Sequence, residues 1–198
     1  MRDEFYADKR DLVKWSVLLL IGKQHERIIQ ICYYNTSNFK NDLIDIDGKQ
    51  CEIPDEVISH FRNINNASTI TTQPKITVFD TEFPEKDRAL YSAEITKLIA
   101  KYQSEKCVVF LDTDTGLEPR RNVGKTHVLA DEVKTIWQAI PKKWLLVLYQ
   151  HKTNRSSEEW IEPKREQFAA AIGESLGRVK TASAKGIAND VVFFYATK

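Results

Sequence analysis

Apolar positions fall along the chain in blocks whose period changes. Over 8–24 they recur at Leu12, Trp15, Leu18 and Leu19 and stop at Gly22, the spacing of a helix face closed by a glycine. Over 27–34 the run RIIQICYY is β-branched and apolar, which predicts a buried strand. The same alternation continues downstream. Strands are predicted over 75–79 (KITVF), 107–111 (CVVFL) and 144–149 (WLLVLY), and helices over 85–104, 130–140 and 156–176, with Pro141 closing the second of these. Two last strands, 178–184 and 190–196, flank KGIAN, a hairpin turn. The stretch 35–72 is rich in Asn, Asp, Ser and Thr. It is expected to be a long connection carrying one short helix over 55–64.

Strands separated by single helices predict an α/β fold: a three-layer αβα sandwich with a mostly parallel sheet and a C-terminal antiparallel hairpin. With 198 residues and no internal repeat or long linker, the whole of 1–198 is expected to be one domain. Composition narrows the function classes. The 42% hydrophobic content supports a packed core, and a net charge of +1 excludes a histone-like polycation, so any nucleic-acid binding must use a local patch. Three cysteines without CxxC spacing point away from a disulfide scaffold and from a structural zinc site. Residues 1–10 are charged and the apolar run 17–21 is too short to span a bilayer, so a cytoplasmic protein away from the membrane is expected.

In open α/β sheets ligands bind beyond the carboxyl ends of the strands. The residues that follow the four predicted parallel strands are Asn35-Thr36-Ser37-Asn38, Asp80-Thr81-Glu82, Asp112-Thr113-Asp114-Thr115-Gly116 and Gln150-His151-Lys152. Sharing one rim, they would gather Asp80, Glu82, Asp112, Asp114 and His151 around a crevice. An aspartate directly after a buried strand is held rigidly, able to accept a proton, bind a metal or hydrogen-bond an amine. Asp112 is the strongest candidate, with Asp114 beside it and His151 or Gln150 reaching substrate from the next strand. Arg120, Arg121, Lys125, Lys152 and Arg155 would form a phosphate-binding collar near the same rim. Lys142 and Lys143 fall at the opposite end of the sheet in a solvated turn, His25 and His60 are expected at the surface, and His127 at a helix start.

The segment YADKRDLVKW resembles the N-terminal GN-x-x-D-V-x-K-H motif of the bacterial adenine-N6 methyltransferases of large-subunit ribosomal RNA. Asp11 and Lys14 stand at that family's Asp and Lys, while Trp15 replaces the His and Asp8-Lys9 the Gly-Asn. Asp112 of FLDTDTGL falls where the catalytic Asp-Pro-Pro-Tyr/Phe begins, with Thr113-Asp114 in place of the two prolines. The element order also matches a methyltransferase-type Rossmann sheet. The resemblance implies S-adenosylmethionine as cofactor, Asp112 holding the exocyclic amine of a base in RNA or DNA, and Lys14 near the cofactor's carboxylate. It also implies Asp80 or Glu82 on the cofactor ribose and Asn35 in the cofactor turn. That family carries a glycine-rich turn after its first strand, and this chain has none there.

Two other functions fit the residues. Asp112 and Asp114, with Asp80 or Glu82, would suit magnesium in a phosphoesterase or nuclease. The DTDT of 112–115 also resembles the DxDxT of haloacid-dehalogenase-type phosphatases, although it lies past the midpoint of the chain. The third reading is a non-catalytic binding module on a methyltransferase-like fold, which predicts that Asp112 is dispensable and the basic collar is not.

Overall fold

A computed structural model of the chain describes residues 9–35, 43–52, 54, 56–57, 63–84, 86–121, 123–152 and 159–198. The main sheet is built from β1 (Arg27–Ile31), β4 (Lys75–Phe79), β5 (Cys107–Leu111), β8 (Leu145–His151), β9 (Lys180–Ala184) and β10 (Ala188–Thr197), in the order β4-β1-β5-β8-β10-β9. The first four are mutually parallel. β10 runs antiparallel to both β8 and β9, so the single reversed strand lies one place in from the edge and β9 forms the edge itself.

Two small sheets were not legible in the pattern. β2 (Leu43–Ile46) and β3 (Lys49–Glu52) make a hairpin inside the expected long connection. Two-residue strands β6 (Gly116–Leu117) and β7 (His127–Val128) pair in parallel after β5, so His127 sits in a strand and not at a helix start. The helix expected over 55–64 lies largely outside the described residues; a 3₁₀ helix occupies Ile64–Thr69.

The helices are α1 (Lys9–Ile21), α2 (Arg88–Lys101), α3 (Ala130–Ala139) and α4 (Ile161–Ile172). Each boundary has a local cause. The Asp87 side chain accepts from the Leu90 N–H at the start of α2. At α3, Glu132 reaches back to the Leu129 N–H (2.9 Å) and Glu118 accepts from the Ala130 N–H (2.9 Å), two carboxylates on the positive end of the helix. Gly173 ends α4 at φ 69°, a left-handed position that suits glycine.

The pleat sorts the central strands into two cores. Cys107, Val109 and Leu111 of β5 face α2, α3 and α4, whereas Val108 and Phe110 face α1. β8 divides the same way, Leu146 and Leu148 against Leu145, Val147 and Tyr149. Both faces of these strands are dry, which is why they read as unbroken apolar runs. The parity also decides which polar residues share a face with α1.

Candidate functional site

Counting in twos along each strand, Gln30 of β1 and Asp112 after β5 lie on the α1 face with Ile28, Val108 and Phe110. Tyr149 and His151 of β8 share it. Opposite them α1 presents Asp11 and Lys14, one turn apart. The result is a buried ionic cluster. Lys14 Nζ donates to Asp11 Oδ1 (2.5 Å) and to Asp112 Oδ2 (3.1 Å), and Gln30 Nε2 donates to the same Oδ2 (2.6 Å). Asp112 and Gln30 are each 1% exposed and Lys14 3%. The neighbouring Thr113 hydroxyl, equally buried, has no partner among the described residues.

Burial alone would lower the Lys14 pKa. The Asp112 and Asp11 carboxylates outweigh it and hold the ammonium protonated well above the ordinary lysine range. The ammonium also lies 5.3 Å from the centre of the Tyr149 ring. Tyr149 meets His151 edge-on at 4.8 Å. Burial, then Arg10, push the His151 pKa down to about 4, with Lys14 adding to the fall and Asp190 and Asp114 opposing it. Its ring is therefore neutral at pH 7. Arg10 and Asp190 close this end with an ion pair at 2.6 Å.

The cluster stands at a topological switch point. The chain leaves β1 toward β4 on one side and returns to β5 on the other, the place where sheets of this kind bind ligands beyond the carboxyl ends of the strands. Beyond β1, Tyr33 turns the backbone at φ 43°, its ring locked among Phe83 and Tyr91. The corner expected of glycine is thus made by an anchored tyrosine. Buried Asn35 donates to the Tyr33 carbonyl (3.0 Å). Tyr34 bridges Glu82, extending the β1–β4 pairing past the sheet, and Asp80 and Glu82 are exposed there. Asp80 accepts from the Asn65 side chain (2.8 Å).

Gln150 has the opposite parity and a different task. Its Oε1 accepts from the Leu117 N–H (2.8 Å), and its Nε2 donates to the Thr115 carbonyl (2.8 Å) and to that of His151 (2.7 Å). Its amide is spent holding the loop after Asp112, not reaching substrate. Gly116 sits against it at φ 102°, where any Cβ would overlap the Gln150 carboxamide. Lys164 of α4 donates to the Leu117 and Glu118 carbonyls (2.9 and 2.8 Å) and secures the same loop from below.

The expected site residues therefore separate. Lys14, Asp112 and His151 come together on the α1 face, with Asp114 close enough to act on His151. Asp80, Glu82 and Asn35 lie at the neighbouring strand ends. Arg120, Arg121 and Lys125 are exposed on a loop whose two ends, β6 and β7, are tied to α4 and α2 on the other side of the sheet. Lys152 is exposed at the end of β8, and Arg155 lies outside the described residues. Trp15 is a core residue against the sheet. Gln30, Tyr149, Arg10 and Asp190 belong to the site although the pattern did not single them out. For Gln30 a signal existed: a lone amide inside an apolar parallel strand must find a buried partner.

Among the described residues no group of three or more His, Cys, Asp or Glu is placed to hold a metal ion, and the Asp112 oxygen nearest α1 already carries an ammonium. No described helix is long and apolar enough to cross a membrane. No protein-family model, no curated protein and no solved structure matches the chain.

Proposed function

We propose that the chain is a Rossmann-like, three-layer αβα methyltransferase that uses S-adenosylmethionine and acts on the amine of a nucleic-acid base, adenine by preference. The observation that carries the reading is Asp112 itself. It is a buried carboxylate at the switch point whose Oδ2 is pinned by Lys14 and Gln30. A carboxylate held this rigidly is a preorganised acceptor for an exocyclic amine N–H, and accepting that hydrogen aims the nitrogen lone pair. The apolar helix layers on both faces and the closing hairpin support the same sheet type.

The cofactor, when bound, supplies an electrophilic methyl group on a sulfonium. The residues present fit it in part. Asp80 and Glu82 offer exposed carboxylates beside the β1 corner, suited to ribose hydroxyls, and the left-handed Tyr33 provides the sharp corner without glycine. Lys14 is already engaged by Asp11 and Asp112, so in this reading it positions Asp112 and does not take the cofactor's carboxylate. His151, uncharged at pH 7, contacts the base as a neutral hydrogen-bond partner. Exposed Lys152, Arg120, Arg121 and Lys125 carry the nucleic-acid backbone.

Calorimetric titration with S-adenosylhomocysteine tests the cofactor half. Micromolar binding that is lost in Asp80→Ala or Glu82→Ala is expected, and absence of binding at millimolar ligand overturns the reading. For the acceptor half, Asp112→Asn should keep that binding yet lose methyl transfer to RNA or DNA by at least about a hundredfold. Undiminished transfer by the variant would remove Asp112 from the chemistry.

A further inference from the structure

At the end of the sheet opposite Asp112 lies a groove of about 610 Å³. The five residues of β5 lie between Lys106 and Asp112, a separation of about 20 Å at the rise of a strand. Four lysines enter the groove from four different segments. Lys23 comes from the turn after α1, Lys106 from the residue before β5, Lys143 from the turn before β8, and Lys180 from the first position of β9. Hydrogen bonds from the backbone fix two of the stems. The Lys106 N–H donates to the Glu26 carboxylate (2.7 Å) and the Lys143 N–H to the Lys198 carbonyl (2.8 Å), with Lys143 held at φ 71°.

Among the described residues no carboxylate side chain lines the groove, and none of the four lysines makes an ion pair there. Its floor is apolar, from Leu20, Ile21 and Leu145, and Tyr195 forms an aromatic wall beside Lys180, its partner in the β9–β10 register. His25, expected at the surface, is half-buried in this wall. Lysines kept only for solubility disperse over a surface or pair with acids; here they converge, unpaired, on one concavity.

We infer that this groove is a second binding site, for phosphate groups, independent of the Asp112 site. Like-charged side chains held around a partly apolar concavity repel one another until an anion neutralises them, and phosphate oxygens accept from several ammonium groups at once. Two sources share this chemistry: a free phosphorylated small molecule and the backbone of a single-stranded nucleic acid. For the second, the tyrosine also offers a stacking surface.

His25 is a built-in reporter. Burial, then Lys106, hold its pKa below the ordinary histidine value. An anion among the lysines reverses the second effect and raises it. In the 198-residue protein, the His25 ring titration followed by NMR should move to higher pH when inorganic pyrophosphate is added. The change should disappear in the Lys143→Glu/Lys180→Glu double variant and weaken as salt is raised. A short fluorescein-labelled single-stranded RNA separates the sources. Binding more than about tenfold tighter than pyrophosphate, with a linear log–log salt dependence, assigns the groove to nucleic acid. Comparable or weaker binding assigns it to a small phosphorylated ligand. A His25 titration unmoved by either probe, or moved equally in the double variant, overturns the inference. S-adenosylhomocysteine binding is untouched by these lysine changes, so failure here and failure at Asp112 are read separately.

Discussion

Lys14 shows how one side chain can be a liability and a requirement together. An ammonium this deep is tolerated because two carboxylates and an aromatic face surround it. Removing it leaves Asp11 and Asp112 buried side by side without their cation. Lys14→Met should therefore cost about 3–5 kcal/mol in urea denaturation, whereas Asp11→Asn, which leaves the Lys14–Asp112 pair intact, should cost clearly less. Equal losses would mean the cluster is held by something other than the shared ammonium. The residue scale is also where reading from sequence was least complete. Lys14 and Asp112 were legible as candidates, the one from a motif and the other from its place after a buried strand. Their direct contact was not, because 98 residues separate them and only the pleat parity brings them to one face.

At the scale of elements, the segment after β5 behaves as a built piece and not as a loose loop. Gln150, Lys164 and the β6–β7 pairing clamp it, and Gly116 supplies the conformation the clamp needs. Gly116→Ala combines a positive φ with overlap on the Gln150 carboxamide. It should destabilise the fold by about 1–3 kcal/mol and displace Asp112 from its partners. The check is a lowered thermal midpoint together with a change in the backbone NMR shifts of the residues flanking Asp112; a neutral substitution would show that the clamp yields. The long strands and helices were legible because their periods are strong and their caps local. β6 and β7 were not, because two residues carry no period. The β2–β3 hairpin was missed for a related reason: its four-residue strands are too short to show an alternation, and they lie in a stretch rich in Asn, Asp, Ser and Thr.

For the whole molecule, pH reports the coupling of the rim to folding. His151 has a folded pKa near 4, and the unfolded chain restores about 6.5. Between these values the unfolded state binds more protons, so stability rises with pH. Its contribution is complete above about pH 6.5 and is lost as pH falls toward 4. His25 and His127 are shifted in the same direction, chiefly by burial. The thermal midpoint should drop from pH 7 to pH 5, and His151→Gln should flatten that slope; an unchanged slope would mean that His151 is as solvated folded as unfolded. By itself the sequence determined the class of the fold, the position of most of its long elements and the carboxylate after β5, since period, caps and strand-end chemistry are local properties. Tertiary structure alone decided the insertion of β10 between β8 and β9, the meeting of Asp11, Lys14, Gln30 and Asp112, and the convergence of four distant lysines on one groove. These depend on strand order and on which face each side chain takes, and both are settled only when non-local pairing closes the sheet.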